Sequence, residues 1–417
     1  MSRIILSGIL FLFCSAVADA QNAYTQNRQE AMQYMQKAQL SKRGGNFNKA
    51  FQEYTNAIEL DRNYAEAYMG RALLLQQMGR YTESEKDYNK AIDLNPYSEV
   101  YYDQRARLKI LQSNYEEAIS DLTKALELSP YDDYLLDSRA IAEFESNNLD
   151  AALEDFNFIL ELNPEDTLTY LKRALTHTRA NNYDSAKADI ENALELSPYS
   201  EMVYDVKGLF HLHFDELEAA HAAFSKAINY NSAFAIGYYN RSVVLKKMGR
   251  VEESLEDLNI AISLNQDFPN AYFNRAVTHK QLGNEEEALE DYNNAIAVES
   301  DFTEAIFNRG FTKSMLGSYS ESLPDFDRVV EKNPEDPEAY NMRGNIKSFF
   351  GKYLSAIKDY DTAISLDQTF AAAYFNRGIA KMLSYQEIQG CEDLQESLEL
   401  GFEEAREKIR YFCSEPK

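Results

Sequence analysis

The chain has 417 residues, too many for one ordinary compact domain, and a formal charge of −26 with 68 acidic against 42 basic residues. So negative a surface repels nucleic acid phosphates and anionic lipid headgroups, so nucleic acid binding is excluded as an expectation. Glycine and proline are few, with 16 and 9 residues, which favours helix.

The first twenty residues differ from the rest. Arg3 gives a basic start, Ile4 to Phe13 is an apolar run too short for a permanent membrane anchor, and Ala18-Asp19-Ala20 forms an A-x-A cleavage site before Gln21. This pattern reads as a secretory signal peptide over 1–20. The mature chain is then expected to be exported, periplasmic or secreted, and not membrane-spanning, with 21–30 a short N-terminal extension.

From Ala31 to Glu404 a period of 34 residues runs without insertion or deletion, giving eleven repeats. They start at residues 31, 65, 99, 133, 167, 201, 235, 269, 303, 337 and 371, and the positions within each are numbered 1 to 34. Position 8 is small (Ala38, Ala72, Ala106, through to Gly378), as are position 20 (Ala50, Ser84, Ala118) and most of position 27 (Ala57, Ala91, Ala125). Position 4 is usually Tyr, as in Tyr68 and Tyr272, and position 24 is bulky and apolar, as in Tyr88 and Phe224. Gly or Asn at position 15, such as Gly79 and Asn147, suits the left-handed conformation that ends a helix. Pro96, Pro130, Pro164, Pro198 and Pro334 at position 32 are expected to stop a second helix. Each repeat is therefore predicted to be two antiparallel helices that stack on the next repeat, because one hairpin cannot bury its own apolar face.

Two positions vary together. Position 7 is Arg and position 23 is Asp in the same nine repeats, from Arg71 with Asp87 to Arg377 with Asp393. The exceptions coincide: Lys37 with Glu53 in the first repeat, and Lys207 with Ala223 in the sixth. A hairpin folded near position 15 sets position 7 opposite position 23, so a repeated Arg–Asp pair is expected, within a repeat or across to its neighbour. The sixth repeat also carries Phe210-His211-Leu212-His213-Phe214, which is either a joint in the array or drift in a tolerant repeat.

Near the end of the last repeat, Phe402, Ala405, Ile409 and Phe412 recur at helical spacing behind Gly401, so residues 402–413 are expected to supply a capping helix, with 405–417 assigned as its end. Cys391 and Cys413 flank that turn symmetrically and would face each other in a hairpin. In an exported protein they are expected to form a disulfide.

The eleven in-phase copies resemble the tetratricopeptide repeat family, and the ending resembles exported repeat proteins of Bacteroidetes-like Gram-negative bacteria. The first resemblance implies an all-α fold, a right-handed superhelical solenoid of about eleven 34-residue helix-turn-helix repeats plus a C-terminal capping helix. It also implies that the first helix of each repeat lines a concave groove through positions 2, 5, 6, 9, 12 and 13. Family members that hold extended peptides use an Asn at position 6, and Asn240, Asn274, Asn308 and Asn376 match it. An amide can donate and accept at once, as a peptide backbone does. Tyr239, Phe273, Phe307 and Phe375 stand beside them at position 5, and Lys246 and Lys280 follow at position 12. The first five repeats have Gln36, Gly70, Gln104, Ser138 and Lys172 at position 6, so the ladder belongs to the later repeats. No three consecutive repeats carry the Lys and Asn set of the family's clamp for peptide carboxylates.

Candidates for catalysis are few. His177, His211, His213, His221 and His279 make no metal-binding spacing with Cys or Glu, and no phosphate loop, nucleophile elbow or C-x-x-C occurs. No cofactor and no enzymatic activity are expected. The expected role is an exported scaffold binding proteins or peptides, in an envelope or secretion assembly. The alternative is a periplasmic glycan-binding or regulatory protein whose groove tyrosines stack on sugars.

Overall fold

The computed structural model describes residues 25–413, and the proposed signal peptide lies outside them. These residues form helices and no strands. The helix α1 spans residues 25–43 and α2 Phe47–Leu60. Thereafter first helices of 13 residues alternate with second helices of 14, beginning with α3 (Ala65–Gln77) and α4 (Tyr81–Leu94), until the last second helix, Glu387–Glu399, which has 13. The chain divides into two units, up to Tyr199 and from Ser200, each a solenoid stretch of stacked helical hairpins.

In both units the turn between paired helices sits at position 15, and all eleven residues there have positive φ. Gly79 shows the pattern: its amide donates to the Gln76 carbonyl at 3.0 Å, and that of Arg80 to Leu75 at 2.9 Å. These two bonds satisfy carbonyls that the helix end would orphan. Ser113, Asp215 and Tyr385 also take positive φ, where Gly or Asn would be expected.

The second helices end at the same position whether or not a proline follows. Leu94 precedes Pro96 by two residues, yet Leu60, Leu264 and Leu366 end their helices with no proline there. In four of the repeats without that proline, position 31 contributes to the stop. Asp61, Asn231, Asn265 and Asp367 leave helical geometry and accept, through Oδ1, the amide two residues on, at 2.8–3.0 Å. Such turns compete with the helix for backbone groups.

Small residues let the helices close. Position 8 and position 20 alanines such as Ala72, Ala106, Ala118 and Ala152 are fully buried. In the second unit a Cβ at Gly208 would meet the Phe224 ring at 2.4 Å, and one at Gly344 the Tyr360 ring at 2.6 Å. The aromatic at position 24 therefore lies directly against the backbone of the first helix, and replacing either glycine would force that ring out.

The Arg–Asp pairs form within each repeat and reach further. Arg71 donates from Nε and Nη2 to the two oxygens of Asp87, at 2.7 and 2.8 Å. Its Nη1 donates to Thr55 Oγ1 on the preceding second helix, at 3.1 Å. The same three bonds recur at all nine arginines. Nη1 finds Asn89, Thr123 and Asn157 in the first unit, and Ser225, Asn259, Asn293, Asp327 and Asp361 in the second. Six of the guanidinium groups also lie near the position 4 tyrosine ring, at 5.3–5.8 Å. One planar group thus holds three helices.

At the ends, residues 25–30 of the N-terminal extension are helical and run into the first repeat as part of α1, and Arg28 there bonds Asp61 at 2.6 Å. The capping helix spans Glu404–Phe412, with Ala405 buried and the Phe402 ring 5.0 Å from Phe375. Phe412 is 45% exposed, so the cap is made by Phe402, Ala405 and Ile409 without it. A disulfide joins Cys391 to Cys413, tying the cap back to the last second helix, Glu387–Glu399.

Candidate functional site

The position 5 and 6 residues of the second unit project from α13 (Ala235–Lys247), α15 (Pro269–Gln281), α17 (Thr303–Met315) and α21 (Ala371–Leu383). All are half-buried. The asparagines are not idle in the free chain. Asn240 Nδ2 donates to Asp205 Oδ1 at 2.8 Å, Asn274 Nδ2 to the Tyr239 hydroxyl at 2.9 Å, and Asn376 Nδ2 to Asn341 Oδ1 at 2.9 Å. Each bond runs from position 6 to position 5 of the preceding repeat, a separation of 35 residues. Asn308 departs from this rule and donates to the Glu304 carbonyl at 2.9 Å. In the first unit Lys172 makes the same crossing to Asp137 at 2.5 Å. What this leaves for a ligand is mainly acceptor capacity at Oδ1.

The four aromatic residues pack between helices rather than standing alone. Tyr239 lies 4.9 Å from Phe268, Phe273 5.2 Å from Phe302, Phe307 5.6 Å from Phe326, and Phe375 5.0 Å from Phe402. Their faces are engaged, so they do not offer the single exposed rings that sugar stacking needs. Lys280 lies over the Phe311 ring at 4.8 Å. Lys246 is half-buried with no ion pair among the described residues, and burial pushes its ammonium pKa down.

Asp205, Tyr239 and Asn341 as acceptors of this ladder are not apparent from the sequence read repeat by repeat. The signal lies in the 35-residue step, which pairs position 5 with position 6 of the next repeat. Burial drives the Asp205 carboxyl up to about 6, against the Asn240 amide, which lowers it. Position 11 is also more engaged than its residue types suggest. His279 Nε2 stands 3.9 Å from Asp291, while Lys313 and Lys347 bond the corresponding Asp325 and Asp359 at 2.8 and 2.7 Å.

Cavities open along this face between successive first helices. One of about 340 Å³ is bounded by Val243, Lys246, Asn274 and Gln281, and one of about 420 Å³ by Phe307, Asn308 and Glu338. In the first unit a cavity of about 740 Å³ lies between α1 and α3, with Met35, Gln39, Met69, Gly70 and Leu73 in its wall. In all three, residues of positions 2, 5, 6, 9, 12 and 13 form much of the lining. Among the described residues there is no group of His, Cys, Asp and Glu able to hold a metal ion, and no helix long and apolar enough to cross a membrane.

Family models match over much of the chain. Models described as tetratricopeptide repeat match residues 65–98, 269–302, 138–201 and 100–132. A model described as TPR repeat matches 42–79, 244–283 and 351–383, and together the matches span more than half of the chain. No curated protein sequence matches it. Similar solved structures include the APC/C hetero-tetramer Cut9-Hcn1, at 14% identity over 90% of this chain and 89% of that one, TM-score 0.47. A tetratricopeptide repeat protein from Parabacteroides merdae is 20% identical over 60% and 99% of the two chains, TM-score 0.41. YrrB, described as a TPR protein with an unusual peptide-binding site, is 22% identical over 44% and 95%, TM-score 0.40.

Proposed function

The chain belongs to the tetratricopeptide repeat family, and from that premise we propose that it is an exported scaffold holding polypeptide segments along the faces of its first helices. The observation that carries this reading is the recurrence of cavities at one set of repeat positions, in both units, between successive first helices. Within the second unit, a ligand that meets both cavities along its first helices must itself be extended and built of similar units, which describes a polypeptide. Half-buried asparagine oxygens beside packed aromatic walls supply acceptors for backbone amides and apolar contact for side chains. The role is binding rather than catalysis. Export is supported by the Arg3 start, the Ile4 to Phe13 run and the Ala18-Asp19-Ala20 site, and by the Cys391–Cys413 disulfide, which persists in oxidising compartments.

The test is affinity capture from cell-envelope extract with the wild-type chain and an Asn274→Ala/Asn308→Ala variant. The expected result is loss of specific polypeptides from the variant; identical capture by both would remove the asparagine face from the account. Sequencing the amino terminus of the mature protein is expected to begin at Gln21, and a retained Met1 would overturn export by this signal.

A further inference from the structure

The cavity of the first unit joins an apolar wall to a pair of adjacent cations, as the smaller cavity beside Lys246 and Lys247 also does, and it has more than twice that cavity's volume. It lies where α1 meets α3, with Met35, Met69 and Leu73 as an apolar wall. Gly70 forms part of the same wall; a Cβ there would meet the Tyr54 ring at 2.5 Å, so the ring lies against bare backbone and both line the cavity. Two adjacent cations, Lys42 and Arg43, stand at the edge. Neither makes an ion pair with a carboxylate among the described residues, although the chain holds 68 acidic residues. The nearest acidic lining residue, Glu66, lies 3.8 Å from Arg28 instead. By contrast, the position 7 arginines of repeats two to five all grip an aspartate. Lys42 is half-buried, and burial alone moves its pKa, downward, with no neighbouring charge to offset it.

Lys42 loses part of its hydration with no carboxylate of the described residues beside it, and the exposed Arg43 next to it is equally unpaired, so both are free to meet an anion from outside. We propose that this cavity takes an acidic polypeptide segment, with an apolar side chain seated among Met35, Met69 and Leu73 and a flanking carboxylate on Lys42 and Arg43. This rests on the reading that first-helix faces hold polypeptide, and it gives that reading a chemical class of ligand. A volume of about 740 Å³ admits more than one side chain and falls within the usual range for ligand sites, about 300–1,000 Å³. Two methionines in the wall suit side chains of varied shape. Charge complementarity fixes the sign of the partner, and a basic segment meets the wrong charge twice.

The experiment measures binding of fluorescein-labelled hexapeptides to the full chain by anisotropy. One pool alternates Glu with Leu, Met or Phe; a second replaces Glu by Lys; a third keeps Glu and replaces the apolar residues by Ser. Only the first pool is expected to bind, more weakly as salt rises from roughly 50 to 300 mM. Lys42→Glu/Arg43→Glu is expected to weaken binding by about tenfold or more, and Lys42→Gln/Arg43→Gln by less, with circular dichroism unchanged. Failure of the first pool to bind, or equal binding to wild type and the charge-reversed variant, overturns the proposal. Binding lost in Asn274→Ala/Asn308→Ala but kept in Lys42→Glu/Arg43→Glu also overturns it, while leaving the general peptide-binding reading intact. Self-association of the chain that Lys42→Glu/Arg43→Glu abolishes, without peptide binding, would assign the cavity to a second copy and equally overturn it.

Discussion

Removing Arg275 and removing Asp291 are expected to have unequal effects. The guanidinium donates to both oxygens of Asp291 at 2.8 and 2.6 Å and to Asn259 at 2.9 Å. Asp291 is 2% exposed, and among the described residues the other side chain paired with it, His279, stands 3.9 Å away, beyond hydrogen-bond distance. Arg275→Ala therefore strands a buried carboxylate and is expected to cost about 3 kcal/mol, the lower end for breaking a buried pair, because a fifth of the arginine side chain reaches water. Asp291→Ala leaves an arginine that keeps Asn259 and can turn outward, at about 1–2 kcal/mol. The double variant is expected to cost less than the sum by about 1.5 kcal/mol or more. A repeat array does not unfold in one step, so the measurement is native-state hydrogen exchange of peptides from residues 235–302, with urea unfolding as a check. Costs that add to within about 0.5 kcal/mol, or a larger cost for the aspartate, would refute the three-helix account.

Three further outcomes follow from other sites. Tyr385 holds φ 64° while 93% exposed, so Tyr385→Gly is expected to stabilise the last hairpin by about 1 kcal/mol; a lower melting temperature would show that the ring contributes packing. Asp205 holds its proton to about 6 in the folded chain, whereas an unfolded Asp releases it near 4, so folding stability falls as pH rises between those values, by at most about 3 kcal/mol. Asp205→Asn is then expected to raise the melting temperature more at pH 8 than at pH 4.5, and an equal change at both would refute the assignment. Reducing Cys391–Cys413, which closes a separation of 22 residues, is expected to destabilise the cap by about 3 kcal/mol, read as faster exchange confined to residues 387–413.

The sequence carries the hairpins plainly because side chains at positions 8, 15, 20, 24 and 27 each answer a steric demand that recurs every 34 residues. It also carries the Arg–Asp pairs, because two positions change together at Lys37 and Lys207. The third bond of each arginine was less visible: its acceptor is Thr, Asn, Ser or Asp, and any of these satisfies one N–H. Proline drew attention to the helix stops, yet the turn at position 31 acts in repeats without proline, through a short side chain competing for the backbone. The asparagine ladder was legible as a row of residues but not as bonds, since its partners are Asp205, Tyr239 and Asn341, three different chemistries at one position. The cavity of the first unit left the weakest trace. Gly70 looks like a missing ladder residue, and only its approach to Tyr54 shows what the vacancy makes room for.

The third bond of each arginine points one way along the chain. Arg105 reaches back to Asn89 and Arg309 back to Asn293; none reaches forward. During synthesis, a repeat leaving the ribosome therefore finds its acceptor already in place, and no finished repeat waits for one still to be made. Shortening such an array from its carboxyl end leaves every remaining guanidinium fully bonded, whereas shortening it from the amino end strips an acceptor from the first arginine that is left.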